Sequence, residues 1–512
     1  MTERNKALVL RPLLAFLALS AAALLLAGCG RFRLGPRMGP QAVSHATLSD
    51  EASVPAAVDG VFRSEMREAR IPSAMLALVH GDHVVLARAW GEAGPGRPAD
   101  ADTLFCIGSI SKSFTALGMM ILAGEGKVDL LAPVTAYLPG FRMADLRYRD
   151  IKVRDLLRHA SGLSRSQGDI VYEGEGVTAD RLIARLAEER LAYAPGSRYA
   201  YCNMNFVLAG AIIEAVSGRP YTDFMEERIF RPLGMTRTRG VAAIASAPNV
   251  AGGSQGVFGW TIPGHARHPV GATSAGYLYT TARDFAAYLL FLRRGGVAPD
   301  GRRLVSEAGF KAMTEAQSPD GFYGYGWVVD KGIICHDGET AGFVSNLDLA
   351  RDPEGWGFAY VLGKSDGLAE SVMGRSTTRV EVGLYNILMP GSRVPLPRIS
   401  MDAYRAACSV IVAFYLAFLV YEVLRVVRNR QTGPVARAVA ILLDAVLPIG
   451  VLVGVQFSIG PWPTLVMMAP DLASFFLVLA AGQLAVGALR LVLRLVKARS
   501  SRPGRESAPG LR

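Results

Sequence analysis

The hydrophobic pattern divides the chain into apolar ends and a mixed central part. After Arg4, Lys6 and Arg11 an apolar run covers residues 13–27, the form of a secretory signal. Near the other end are three long apolar stretches: residues 406–427, 439–457 and 472–489. Each is about long enough to cross a hydrocarbon core of ~30 Å. The pattern therefore predicts a signal peptide and three transmembrane helices.

The central part alternates between strand and helix patterns. Apolar runs at residues 74–79 and 84–89 meet at Gly81 and Asp82, which predicts a β-hairpin. Residues 155–235 are mostly helical in pattern, and four short strands spaced by turns follow after about residue 320. Strands at both ends with a helical insertion between them predict an α+β fold, an antiparallel β-sheet flanked by helices.

Charge is distributed unevenly. The 512 residues are 51% hydrophobic and carry a net charge of +11. Residues 1–50 hold six Lys and Arg against two acids, residues 421–512 hold eleven against four, and residues 51–420 are balanced. The basic excess therefore flanks the predicted membrane segments. Because the sequence has no basic patch with interleaved aromatic residues, a nucleic-acid partner is excluded.

The basic residues also predict an orientation in the membrane. Arg428, Arg430 and Arg437 follow the first predicted span, whereas residues 458–471 contain no Lys or Arg. The tail is again basic. By the positive-inside rule the first connection and the C-terminus lie in the cytoplasm. The central part then lies outside, in agreement with the export signal.

The signal ends in a short motif that resembles the bacterial lipobox, Leu26-Ala27-Gly28-Cys29. This resemblance implies that Cys29 is lipidated and becomes the mature N-terminus in a bacterial cell membrane. An ordinary signal, or an uncleaved anchor that happens to contain a cysteine, is the alternative.

Ser109-Ile110-Ser111-Lys112 begins a helical stretch. Residues three apart lie on one face of a helix, so Lys112 can hydrogen-bond Ser109. A nearby cation favours the alkoxide, and the helix N-terminus offers free N–H groups where negative charge develops. The pattern predicts Ser109 as a nucleophile, although a Ser-x-x-Lys motif is expected by chance about once in a chain of this size.

Two further motifs follow in order, Tyr201-Cys202-Asn203 and His336-Asp337-Gly338. A phenol held between cations can lose its proton and serve as general base, and the asparagine can orient Lys112 and a substrate amide. Gly338, on a predicted strand, permits close approach of backbone to ligand.

With these motifs the sequence resembles the serine β-lactamase-related and penicillin-binding-protein-like hydrolases, closest to class C β-lactamases, D-alanyl-D-alanine carboxypeptidases, esterases and D-aminopeptidases. The resemblance covers about residues 55–390 and includes residues 156–163, 193–199, 231–235 and 274–281. It implies a β-lactamase/transpeptidase-like fold and hydrolysis of an ester or amide through an acyl-enzyme.

The resemblance also implies roles for individual residues. Ser109 would be acylated, with Lys112 and Tyr201 sharing general base and acid duty. Asn203, His336 and Gly338 would bind substrate. The backbone N–H groups of Ser109 and Glu339 would form the oxyanion hole. A small-molecule or peptide substrate, for example one derived from the cell wall, and membrane lipid are the expected partners.

Two positions depart from the family pattern. Cys202 replaces the commoner serine, and a thiol is the weaker hydrogen bonder. His336 replaces lysine, and an unperturbed histidine is mostly neutral at pH 7. A substrate carboxylate would lose a fixed cation, which argues against strong β-lactamase activity.

No cofactor is expected, and no metal, because no cluster of His, Cys and carboxylates was recognised at ligand spacing. Cys106, Cys202 and Cys335 are predicted to be buried thiols, and His159 to be structural. The rival functions are a penicillin-binding-like ligand sensor without efficient turnover and an inactive scaffold. The oligomeric state stays open.

Together these patterns predict six segments. They are a signal peptide (1–28, before Cys29), a tether (29–54), the hydrolase domain (55–392), a linker (393–405), three transmembrane helices (406–497) and a basic cytoplasmic tail (498–512).

Overall fold

Two compact units make up the protein in the computed structural model, a larger one of residues 32–401 and a smaller one that includes residues 402–512. The structure describes residues 51–172, 176–264, 269–330, 332–367, 376–388, 401–428, 438, 440–458 and 462–500. The predicted signal peptide, Cys29, most of the tether and the basic tail fall outside these ranges.

A seven-stranded antiparallel sheet is the centre of the larger unit, with the order β3-β2-β1-β12-β11-β10-β9. Its first long strand, β1, pairs with β2 and with β12, so that Met75 lies opposite Val361. The strands are β1 (Ser73–His80), β2 (His83–Gly94), β3 (Arg97–Pro98), β9 (Val328–Asp330), β10 (Ile333–Thr340), β11 (Phe343–Ala350) and β12 (Trp356–Leu362).

Helices cover both faces of this sheet, which explains why β1 is apolar at nearly every position instead of alternating. Met75, Ala77 and Val79 join the main core, into which helix α9 (Ala282–Arg293) also packs. On the other face, helix α1 (Val54–Ala69) contacts helix α11 (Ser376–Leu388).

The helical insertion lies between the strands at the two ends of the unit. Its helices are α2 (Ser111–Gly124), α3 (Val153–Leu157), α4 (Arg165–Gly168), α5 (Ala179–Ala184), α6 (Asn203–Ser217), α7 (Tyr221–Met225), α8 (Thr273–Gly276), α9 and α10 (Glu307–Thr314). Two small sheets accompany them, formed by β4 (Phe105–Cys106), β8 (Leu278–Thr280) and β5 (Arg239–Gly240), and by β13 (Lys364–Ser365), β6 (Ser254–Val257) and β7 (Trp260–Pro263).

Short 3-10 and π turns connect these elements. They are Glu51–Ser53, Gly108–Ile110, Val134–Ala136, Leu146–Asp150, Asp169–Tyr172, Arg185–Glu188, Glu226–Phe230, Val241–Ala243 and Val270–Ala272. Helix α2 is buried along almost its whole length, the pattern of a core helix. It therefore holds the residues at its N-terminus rigidly.

The structure confirms the α+β fold, the hairpin at Gly81 and Asp82, and the late strands. Helix α11, which follows the late strands, is described from Ser376 onward.

In the smaller unit, two described helices are long and apolar enough to cross a membrane, Met401–Val427 and Pro470–Val496. The first is helix α12, and the second belongs to helix α15 (Pro470–Ser500). In the middle stretch the described residues 440–458 are helical throughout, with the π-helix Leu442–Val446 running directly into helix α13 (Leu447–Ser458), and the short helix α14 (Trp462–Met468) follows. Three spans were predicted, and the third is not confirmed.

Charged side chains of the smaller unit are paired between its helices. Arg490 bonds Asp444, and its other terminal nitrogen lies 3.3 Å from Glu422, which Arg425 also contacts at 3.2 Å. The side chains of Arg490, Asp444 and Glu422 are buried. Asp444 is thus paired with a neighbouring helix.

Candidate active site

Ser109 lies in a 3-10 turn, Gly108–Ile110, that leads directly into α2. Gly108 has a φ of +52°, a conformation that favours glycine. Ser111 fixes the turn because its hydroxyl donates to the Gly108 carbonyl at 2.7 Å and accepts from the N–H of Leu278 at 3.1 Å. Ser109 itself is half-buried among buried neighbours, so its hydroxyl is positioned yet accessible.

Lys112 is one turn further along and fully buried. Its Nζ donates to Ser109 Oγ at 2.9 Å, to Asn203 Oδ1 at 2.9 Å and to the carbonyl oxygen of Ala275 at 2.5 Å. Three acceptors fix the direction of the amine, one of them on the residue predicted to be the nucleophile.

Tyr201 and Asn203 approach from the start of α6. The Tyr201 hydroxyl donates to Ser109 Oγ at 2.7 Å, and Lys112 Nζ lies 4.9 Å from the centre of the tyrosine ring. Asn203 is the first residue of α6 and donates to the hydroxyl of Tyr172 at 3.4 Å. The structure thus brings Ser109, Lys112, Tyr201 and Asn203 together as the sequence predicts.

Burial acts in opposite directions on the two groups beside Ser109. It lowers the pKa of Lys112 to about 7, and electrostatic interactions with Cys202 and Asp337 offset this in part. It raises the pKa of Tyr201 well above the ordinary value. The phenol therefore keeps its proton near neutral pH, while a substantial fraction of Lys112 is neutral. Of the two predicted bases, Lys112 is the better acceptor for the Ser109 proton.

A pH profile tests this assignment. Only the deprotonated amine can accept a proton, so kcat/KM should fall about tenfold per pH unit as pH drops below about 7, and level off above it. The measurement is ester hydrolysis from pH 5 to 9, with the rate of a Ser109→Ala variant subtracted. A profile that stays flat down to pH 5 contradicts the role of Lys112 as base.

Strand β10, which β9 pairs with only at residues 333–335, passes very close to the Ser109 turn. A Cβ added at Gly338 would lie 2.9 Å from Ser109 N, and one added at Gly108 would lie 2.7 Å from Glu339 N. Ser345, on the neighbouring strand β11, holds the Ser109 turn against the sheet because its hydroxyl donates to the carbonyl oxygen of Ile107 at 2.9 Å. The backbone nitrogens of Ser109 and Glu339 are therefore near one another, as an oxyanion hole requires.

His336 is 2% exposed, with both ring nitrogens engaged. Its Nδ1 lies 2.6 Å from the carbonyl oxygen of Asp337, to which it must donate. Nε2 and the hydroxyl of Tyr323 form a hydrogen bond of 2.9 Å. His336 is thus buried where the family pattern has a lysine, and its contact with substrate stays a prediction.

Other residues at the site carried no clear signal in the sequence. Tyr172, Tyr323 and Ser345 each orient a predicted site residue, and Ala275 does so only through its backbone. The fully buried His159 accepts the N–H of Cys202 at 3.2 Å through Nδ1, and its ring lies 4.3 Å from that of Tyr201. Its predicted structural role agrees with these contacts, and Cys106, Cys202 and Cys335 are buried cysteines outside any disulfide, as predicted.

Comparison with known families gives a direct match. The Beta-lactamase family model covers residues 58–375. The chain belongs to the Beta-lactamase family.

Relatives of this Beta-lactamase family member have differing names. Esterase EstB of Burkholderia gladioli is 34% identical over 206 residues, which are 36% of this chain and 51% of the esterase. Penicillin-binding protein 4 of Amycolatopsis lactamdurans is 30% identical over 331 residues, 60% of this chain and 85% of that protein. The chain thus spans only about half of the esterase.

Solved structures share the fold. A D-stereospecific amidohydrolase from Streptomyces sp. superposes with a TM-score of 0.53 at 26% identity, over 66% of this chain and 99% of its own. The octameric penicillin-binding protein homologue from Pyrococcus abyssi gives 0.55 at 24% identity, over 67% and 79%. The second likeness concerns the fold alone.

Proposed function

We propose that this protein is a membrane-anchored serine hydrolase that hydrolyses an ester or amide through an acyl-enzyme intermediate. The supporting observation is the pair of hydrogen bonds on Ser109 Oγ, from Lys112 at 2.9 Å and from Tyr201 at 2.7 Å. A serine held between an amine whose pKa is near 7 and a neutral phenol has both a proton acceptor and a proton donor beside it.

The geometry suggests a sequence of steps. Neutral Lys112 accepts the Ser109 proton as Oγ attacks the substrate carbonyl. The oxyanion that forms is held by the N–H groups of Ser109 and Glu339. Tyr201 then donates its proton to the leaving alcohol or amine and regains one from Lys112. Water hydrolyses the acyl-enzyme by the same groups in reverse.

The substrate class follows from the same site and the relatives. An esterase, penicillin-binding proteins and a D-stereospecific amidohydrolase are among the similar proteins, which supports an ester, a D-amino-acid peptide or amide, or a β-lactam-like compound. The buried His336, with both nitrogens bonded within the protein, offers no lysine-like cation for a substrate carboxylate. We therefore expect the β-lactam to be the poorest of these substrates.

The test uses the full chain in detergent micelles with a Ser109→Ala variant as the matched control. Each is incubated with p-nitrophenyl esters, D-aminoacyl p-nitroanilides and nitrocefin, and release of the coloured product is followed. Turnover that the Ser109→Ala change abolishes is expected, with nitrocefin slowest. A covalent mass increase on Ser109 without turnover would instead indicate a ligand sensor. Absence of both turnover and the mass increase would overturn the proposal.

We propose further that residues 55–392 are the catalytic domain and face outward from a bacterial membrane, with the C-terminus in the cytoplasm and Cys29 lipidated. Two helices of sufficient length and the distribution of arginines support this topology. The proposal includes a third crossing of the membrane by the middle segment.

Reporter fusions test the topology. Green fluorescent protein, which fluoresces only when it folds in the cytoplasm, is fused after residue 432, after residue 460 or at the C-terminus. Fluorescence is expected from the first and third fusions and not from the second. Equal fluorescence from the first two fusions would show that the middle segment does not cross. The mass of the mature N-terminus tests the lipidation of Cys29, because a chain that still begins near Met1 contradicts it.

A further inference from the structure

A group of two imidazoles and one carboxylate lies outside the active site. His80 ends β1 and His83 begins β2, so the two face each other across the hairpin turn at Gly81 and Asp82. Glu51, in the 3-10 turn before α1, reaches both of them. One carboxylate oxygen is 2.7 Å from His80 Nδ1, and the other is 2.7 Å from His83 Nε2.

No metal was predicted from the sequence, in which only His80 and His83 of this group lie close together. The structure adds the third member from a distant part of the chain. One donor atom from each residue lies within 4.8 Å of the others.

We propose that Glu51, His80 and His83 bind a divalent transition metal ion of the zinc type. Two imidazole nitrogens and one carboxylate oxygen are a donor set that such ions prefer, and three protein ligands leave one position for water. This site is independent of the proposed hydrolase chemistry.

The distances allow an ion after a small movement. Ligand atoms around a tetrahedral zinc ion lie about 3.3–3.4 Å apart, because each is roughly 2.0–2.1 Å from the metal. The observed contacts of 2.7 Å must therefore open by about 0.6–0.7 Å. The side chains of Glu51 and His83 are 40% and 57% exposed, so rotation of these two is sufficient.

His80 is the fixed member of the group. Its ring stacks on that of Trp356, with centroids 4.2 Å apart and planes 14° from parallel. Its Nε2 is buried, so Nδ1 is the nitrogen that a ligand can reach. A further carboxylate is close by, because Glu354 Oε2 lies 3.4 Å from where a Cβ on Gly81 would be, and it adds negative charge favourable to a cation.

The site is far from Ser109. Gly338 is on β10 and His80 is on β1, and strands β11 and β12 lie between these two. The strand register aligns Gly338 with Met75, and His80 is five residues further along β1. At ~3.4 Å per residue and ~4.8 Å per strand, this separation is about 20 Å. A metal here would fasten the chain before α1 to the hairpin, and it would leave the chemistry at Ser109 unchanged.

The experiment uses the full chain without a histidine tag, in detergent, stripped with EDTA and then dialysed against ZnCl2 or CoCl2. We expect one ion per chain by mass spectrometry of the metal, a visible absorption band of nitrogen- and oxygen-coordinated Co²⁺, and a Tm that rises with zinc. His83→Ala and Glu51→Gln should each weaken zinc binding at least tenfold.

His268→Ala is the matched control, since it removes a histidine outside the group. It should bind zinc as the wild type does. All variants should keep the same ester or amide turnover and, in EDTA, nearly the same Tm, because the side chain of His83 is mostly exposed. Failure to retain zinc, or equal retention by the wild type and His83→Ala, would overturn the proposal.

Discussion

Replacing Lys112 with methionine is expected to lower kcat/KM by roughly 10²–10⁴-fold, the usual contribution of a general base. Methionine keeps the length and the apolar stem but cannot accept the proton of Ser109 or donate to Asn203 and Ala275. The residual rate should also lose its dependence on pH below about 7, since the group that titrates there is removed. Hydrolysis of the best substrate from the panel, measured from pH 5 to 9, checks both effects.

Lys127→Met provides the control, because its side chain is 53% exposed and lies just beyond the end of α2. It should leave turnover unchanged. In Lys112→Met the buried carbonyl of Ala275 loses a donor, at a cost of about 1–3 kcal/mol, so Tm must show that the variant is folded at the assay temperature. A folded Lys112→Met that retains turnover within threefold would place the base elsewhere.

Replacing Gly338 with alanine is expected to lower kcat by roughly 10²–10³-fold, as loss of one oxyanion-hole donor does. The added methyl would lie 2.3 Å from the carbonyl oxygen of Ile107 and 2.9 Å from Ser109 N. Both are backbone atoms that cannot rotate away, so β10 must move and carry the N–H of Glu339 with it. Steady-state kinetics should show the loss in kcat more than in KM.

Gly60→Ala is the corresponding control, since the residue is inside α1 and, apart from its chain neighbours and the adjacent backbone of that helix, no atom lies within 4 Å of its added Cβ. It should keep full turnover and gain roughly 0.5–1 kcal/mol of stability. Gly338→Ala should lose about 1–3 kcal/mol through overpacking. Normal kcat in a folded Gly338→Ala would show that the N–H of Glu339 does not stabilise the oxyanion.

The sequence predicted features that depend on local pattern. The hairpin at Gly81 and Asp82 follows from turn chemistry between two apolar runs, and the contact of Lys112 with Ser109 follows from helical spacing. Tyr201 and Asn203 carry no such local signal, and their place beside Ser109 came from the family resemblance.

Features that depend on tertiary contacts could not be predicted in this way. Tyr323 holds His336 from a different segment, and no spacing in the sequence links the two. Glu51 meets His80 only after α1 folds back against the sheet. In the middle apolar stretch a π-helix, Leu442–Val446, lies within the helical residues 440–458, a detail that hydropathy does not register.

The pairing of β1 with β12 has a consequence for how the protein is made. Residues 73–80 leave the ribosome early, yet their partner on one side is residues 356–362, near the end of the same unit. Likewise, Gly108 meets Gly338 only when β10 has arrived. If the unit is exported as proposed, its centre must stay open until almost all of it has passed the translocation channel. Catalytic activity would therefore begin only after export is complete. Until then, the sheet would be incompletely folded and open to quality-control proteases.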